Sequence, residues 1–431
     1  MALAFVGIIF VVFLLLGTPV SFCIGIASMT TTFVDKGIPS TQIATKLVTG
    51  IDTFPLLAGV FFILAGELMS QGSITRRLVA FCKIIIGRIR GASAQVAILT
   101  SVFFAGISGA AVADLAAVGS MLTPAMKEEG YDDGFATVVP VAASVVGPII
   151  PPSNIMIIYA MTTNSSVGAM FLGGILPGIM IGLMLMVFTY YISVKRNYPK
   201  STEPRPPLLT MLRTTFIAVP VLLMPMIIMG GVLSGAFTAS ESGNIAAVYA
   251  LFLSVFVFKD YGFKELYRIF VNAAVTVSTC LLVLSTATGL AWILAVNQIP
   301  QMLLDGITSL TANPYVFLLL VNIALLAAGM FLDPGAAIIL LAPVLTTMGV
   351  AYGIHPLHLS MVVCLNLTLG VVTPPVGVCL YVGAGIGKVP IDKVVRQVFP
   401  FVVLEFIAVL LVTYFPPIST TIPRLFGLYY Q

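Results

Sequence analysis

The chain has 431 residues, 59% of them hydrophobic and only 8% charged, with a mean hydropathy of +1.12 and a formal charge of +4. Soluble domains carry roughly 25% charged residues, so this composition excludes a water-soluble globule and points to one polytopic membrane body. The basic residues sit beside apolar runs without interleaved aromatics, a pattern of membrane topology and not of nucleic-acid binding.

In chain order, MALAFVG has no basic leader region and no clear cleavage site, so residues 3–32 are predicted as a retained helix. A helix at 54–70 follows, then an interfacial amphipathic arm at 72–91 with Arg76, Arg77, Lys83, Arg88 and Arg90. Residues 92–126 read as a re-entrant hairpin turning at GISGAAVAD, and 135–160 as a span broken by GPIIPPSN at 147–154. After a helix at 165–194, a basic loop at 195–213 containing EPRPP leads to a helix at 214–234. The plan then repeats: helices at 237–258 and 269–296, an arm at 299–313, a hairpin at 314–349 turning at AAGMFLDPG, a broken span at 358–383 containing GVVTPPVG, and a helix at 397–416. Five isolated cysteines, Cys23, Cys82, Cys280, Cys364 and Cys379, read as small hydrophobes.

A shift of 223 places Gly147 on Gly370, Pro151 and Pro152 on Pro374 and Pro375, Pro177 on Pro400, and Gly130 on Gly353. A shift of 219 places Asp114 on Asp333 and Pro124 on Pro343, which predicts a four-residue gap inside an internal duplication. Segment 72–91 is basic where its counterpart 299–313 has no base; 386–396 carries Lys388, Lys393 and Arg396 where 163–173 has none. Lysine and arginine favour the cytoplasmic side, so the copies are predicted to be inverted. The expected fold is an all-α polytopic membrane protein with two re-entrant helical hairpins and two broken transmembrane helices. It divides into a first repeat at 1–194, a cytoplasmic linker and extra helix at 195–236, and a second repeat at 237–431. The N-terminus is expected in the cytoplasm and the C-terminus in the periplasm.

Proline has no N–H and disfavours helix at the residue before it. The spacing therefore predicts carbonyls without helical donors at Ser144, Gly147 and Pro148 in the first break, and at Gly370 and Val371 in the second. Each costs several kcal/mol, roughly, if left bare in hydrocarbon. Hard oxygens with no thiolate or imidazole nearby suit an alkali cation. The small-residue tips, Gly106 to Ala110 and Gly329 to Gly335, are expected to close on the broken spans as two ion sites. Asp114 and Asp333 are the only acids inside the hairpins, where a buried aspartate costs about 2.5–3.5 kcal/mol. With Ser144, Asn154 and Asn366 they are the expected substrate-binding residues. Helix capping is the alternative for the aspartates and helix-to-helix bonding for the asparagines. Structural pairing is expected for Glu67, Glu241 and Glu405. GISG also fits an intramembrane serine hydrolase at Ser108, but His355 and His358 are placed in a loop of the other repeat, leaving no general base and no metal site.

GISGAAVADLAAVGSMLTPAMKEEGY, GPIIPPSNIMIIYA, FTASESGNIAAVYAL, GMFLDPGAAIILLAP and GVVTPPVGVCLYVGAGI resemble, over essentially the whole chain, the large membrane subunit of tripartite ATP-independent periplasmic transporters. The resemblance implies sodium-driven uptake of an organic anion of the C4-dicarboxylate or sialic acid type across the bacterial inner membrane, with no enzymatic activity. It also implies two partners, a small four-helix membrane subunit and a periplasmic substrate-binding protein, and two coupling sodium ions. The first ion would be held by Ser108, Ala110, Gly147, Ile150 and Pro152, the second by Gly329, Gly370 and Thr373. Two motifs depart from the usual form: Ser108 is followed by Gly109, Ala110 and Ala111 where serines are frequent, and FTASESG replaces a threonine-proline-threonine-glutamate form. The expected mechanism is an elevator, resembling the ion transporter superfamily, in which hairpins and broken spans move against a scaffold of the other helices. Proton coupling through Asp114 and Asp333 is the alternative.

Overall fold

The computed structural model describes residues 8–10, 12–13, 16–34, 39–52, 56–70, 73–200 and 207–429. Every regular element among them is helical, and seven helices are long and apolar enough to cross a membrane. Most of EPRPP, with Arg205, lies outside the described residues.

Capping residues set where many of the helices start. In the second repeat Pro314, Pro334 and Pro356 each open a helix, where a missing N–H is harmless. The residue before each one, Asn313, Asp333 or His355, accepts a backbone N–H from the first turn. FTASESG is a capping box: Glu241 accepts from the Thr238 N–H at 2.7 Å and donates its own N–H to the Thr238 hydroxyl. Glu241 therefore has a structural role.

Both expected hairpins form as helix pairs joined by a short turn. The first runs through Ala92–Ser108, turns at Gly109 (φ +60°), and returns from Ala111 to Glu128 with a π-turn at Leu115–Gly119. The second pairs Pro314–Phe331 with Pro334–Ala351. The broken spans are Asp133–Val146 with Asn154–Thr163, and Pro356–Gly370 with Val378–Gly387. Ser108 and Phe331, Glu128 and Ala351, and Asp133 and Pro356 each lie 223 positions apart. One shift therefore serves the hairpins as well, and the four-residue gap is corrected. Asp333 is the counterpart of Ala110, at the cap, while Asp114 sits one turn inside its helix.

Three elements differ from expectation. The first segment is interrupted by a turn at Leu16 and Gly17, with the helix starting afresh at Val20; the rest of residues 3–15 is only partly described. Short helices at Ser40–Thr49 and Pro417–Leu425 were not anticipated, being too short and too polar to register as spans. Ser40–Thr49 packs through Ile43 against Ile293 of the long helix Phe263–Val296.

At one end of the bundle the repeats are tied together. Asp132, which caps Asp133–Ala143, also accepts from Lys393 at 2.9 Å and Gln397 at 2.7 Å, both on Ile391–Tyr414. Partial burial raises the Asp132 carboxyl, but these hydrogen bonds, the Phe135 N–H and the Lys393 charge outweigh it and hold it down at about 2.

Candidate functional site

Four of the five carbonyls that the proline spacing deprives of a helical donor find another one. In the first, Ser144 accepts from the Gly147 N–H at 3.1 Å, and Pro148 accepts from the Ser153 hydroxyl. In the second, Gly370 accepts from the Thr373 N–H at 3.1 Å and Val371 from the Cys379 N–H at 3.0 Å. The physical reason is local: a chain that loses its i+4 donor tightens to an i+3 turn or takes a nearby hydroxyl. Among the described residues, the carbonyls of Gly147, Pro151 and Pro152 receive no backbone N–H.

Each hairpin tip closes on the break of its own repeat. A Cβ on Gly147 would stand 3.3 Å from the Ala110 carbonyl oxygen, and one on Gly109 2.7 Å from that of Pro152. The Asn154 N–H reaches the Gly109 carbonyl at 3.4 Å. Thus Ala110, Gly147 and Pro152 come together beside Ser108, whose own carbonyl faces Gly66 of the helix Leu56–Ser70. Ile150 is placed by its N–H on Val146 and its side chain against Gly178. In the second repeat the Gly329 and Gly370 backbones touch; a Cβ on Gly370 would lie 2.4 Å from the Gly329 Cα. Thr373 donates its hydroxyl to Leu369 at 2.7 Å, which leaves its oxygen lone pairs for a cation.

A cavity of about 300 Å³ lies where both tips meet the helices Leu56–Ser70 and Phe263–Val296. Ser108, Asn154 and Asp333 line it from the side of the hairpins and broken span, Glu67, Thr276 and Cys280 from the other, and among the described residues no lysine or arginine does. Of the expected substrate residues, Asn154 and Asp333 reach this cavity. Asp333 also caps its helix, accepting from Gly335 at 2.9 Å and Ala336 at 3.4 Å.

The other three lie elsewhere, wholly buried. Ser144 donates to Val141 at 2.7 Å. Asn366 donates to Asn322 at 2.7 Å, and the Thr413 hydroxyl donates to the same Asn322 oxygen at 3.2 Å, linking three helices. Asp114 is 0% exposed and neither oxygen accepts a hydrogen bond among the described residues; the Ser101 hydroxyl lies beside it without meeting hydrogen-bond geometry. Glu405 is also buried, and neither of its oxygens accepts a hydrogen bond among the described residues, against the expected pairing. His358 is inside a helix and not in a loop, its ring held by Ser419 at 2.9 Å and the Thr413 carbonyl at 3.0 Å. That ring is committed to these partners, and no histidine lines the cavity beside Ser108.

Thr276 and Cys280 were missed. They stand four positions apart on one helix face, but Ser278, Thr279, Ser285, Thr286 and Thr288 lie on the same helix, so spacing alone does not single the pair out.

The family described as the tripartite ATP-independent periplasmic transporter, DctM component, matches residues 7–418. The chain belongs to this family. Among relatives of the DctM-family chain, the sialic acid TRAP transporter large permease protein SiaM of Vibrio cholerae is 37% identical, covering 95% of this chain and 96% of its own. The C4-dicarboxylate TRAP transporter large permease protein DctM of Pseudomonas aeruginosa is 36% identical over 90% of each. The crystal structure of the Alcanivorax borkumensis YdaH transporter has the same fold, with a TM-score of 0.66 at 12% identity over 89% of each chain. The DctM-family chain is a multi-pass permease component for secondary uptake of organic anions and not an enzyme.

Proposed function

We propose that this permease couples sodium entry to uptake of an organic acid across the bacterial inner membrane. A periplasmic binding protein delivers the acid, and a small membrane subunit completes the scaffold. The observation that carries the reading is the closure of each tip on its break, which sets the Ala110 carbonyl against Gly147 and its donor-free oxygen. The cavity supports it independently. An anion entering a space whose described lining includes Asp333 and no basic side chain is favoured by a bound cation close by. Sodium at the tips supplies that charge and so makes anion binding depend on the ion. Hairpins and broken spans then move as one elevator against the helices Leu56–Ser70 and Phe263–Val296. The relatives' substrates, sialic acid and C4-dicarboxylates, define the class of acid to screen.

The test is uptake into proteoliposomes holding the permease and its small subunit, with the cognate binding protein outside. Sodium coupling predicts accumulation under a sodium gradient and none under a pH gradient without sodium. Accumulation under the pH gradient alone would replace this reading with proton coupling, for which Asp114 and Asp333 are the candidate carriers. Measuring which organic acids the purified binding protein holds identifies the cargo.

A further inference from the structure

The two arms occupy equivalent places in the repeats but carry opposite charge. On the first, Ile74–Ile86, the residues Ile74, Leu78, Val79 and Cys82 are buried, and the helix packs against Ala92–Ser108 and Leu208–Leu233. Arg76, Ala80 and Lys83 share the exposed face at i, i+4 and i+7, and Arg88 is exposed just past the turn at Gly87. Exposed Ile85 and Ile89 flank these bases. The second arm, Ile299–Leu310, has no basic residue and an exposed Asp305.

We infer that the exposed face of the first arm is a docking surface for anionic phospholipid of the cytoplasmic leaflet. This rests on the orientation in which the basic arm faces the cytoplasm. Arg76 and Lys83 are about 10 Å apart along the helix axis, with the small Ala80 between them on the same exposed face, a spacing at which two bases can share one phosphodiester headgroup. Ile85 and Ile89 enter the acyl region beneath it, as expected of an interfacial helix. The surface is held at fixed depth, because the Ser73 N–H and hydroxyl both donate to Asp260, at 3.0 and 2.9 Å, and Arg77 stacks on Phe258 at 4.0 Å. An anionic headgroup thus pins the arm, and through it the scaffold, on one side of the membrane only.

The test compares the complete permease with an R76Q/K83Q/R88Q variant in phosphatidylcholine discs doped with fluorescent phosphatidylglycerol. Each Lys or Arg near a charged surface contributes about fivefold in affinity, so the variant loses roughly a hundredfold in phosphatidylglycerol affinity. Asp305→Asn on the second arm leaves it unchanged. Equal phosphatidylglycerol binding by variant and parent, or displacement of the lipid by inorganic phosphate, overturns the inference. Orientation is read separately by an impermeant thiol reagent on Ala80→Cys in right-side-out vesicles: no labelling is expected, and labelling assigns the surface to the other leaflet while the affinity result still judges lipid docking.

Discussion

The two hairpin tips are related by one shift of 223 residues yet close in different ways. The second tip is locked. Gly329 and Gly370 touch backbone to backbone, Asp333 is tied to its helix start, and Asn322, Asn366 and Thr413 clamp the outer helix of the hairpin to the broken span. The first tip is held by backbone contact at Gly109, Ala110 and Gly147, and its acid, Asp114, is buried with no partner among the described residues. Duplication preserved the backbone path, and side chains then divided the work: rigidity in one copy, unspent polar capacity in the other.

The largest test of that contrast is Asp114→Asn against Asp333→Asn. Asparagine caps a helix about as well as aspartate, so Asp333→Asn keeps uptake within a few fold; Asp114→Asn is expected to abolish uptake while thermal unfolding in detergent stays unchanged. Loss of uptake in both would erase the distinction. Next come the glycines. Gly370→Ala forces a methyl into backbone that cannot give way, an overpacking cost of about 1–3 kcal/mol, seen as a lowered unfolding temperature and lost uptake. Gly147→Ala meets oxygens at 3.1 and 3.3 Å; it should fold and instead raise the sodium concentration needed for half-maximal uptake. Equal thermal losses would show the tips to be equally tight. For the clamp, Asn322→Leu leaves Asn366 and Thr413 without their shared acceptor and is expected to cost about 1–3 kcal/mol by thermal unfolding.

The smallest effect is the Asp132 link. Its carboxyl titrates lower in the folded protein than when unfolded, so its contribution is present above about pH 4 and is lost as pH falls towards 2. Asp132→Ala, which also removes a helix cap, should cost about 1 kcal/mol at neutral pH and progressively less as pH falls through about 2. A cost independent of pH would leave the cap alone responsible.

Much of the architecture was legible in the order of residues. Proline pairs in apolar runs cannot continue a helix, and glycine and aspartate mark the tips. Less of the site was legible. Counting lost N–H donors predicted bare carbonyls at Gly370 and Val371, whereas Thr373 and Cys379 supply them from beyond the break. Aligning Asp114 with Asp333 matched residue types where the fold matches Ala110 with Asp333. The scaffold side of the cavity, Thr276 and Cys280, had only a weak mark in the chain.

Composition and spacing by themselves determined that the chain lives in a membrane, where it must break, and that it is written twice, because backbone chemistry and hydrophobicity act locally and leave periodic marks. Tertiary structure alone decided which carbonyls remain open, that Asp114 is sealed away while Asp333 faces the cavity, and that Asn366 binds a neighbouring helix. Those outcomes depend on which distant groups arrive within hydrogen-bonding reach, and sequence separation does not encode that distance.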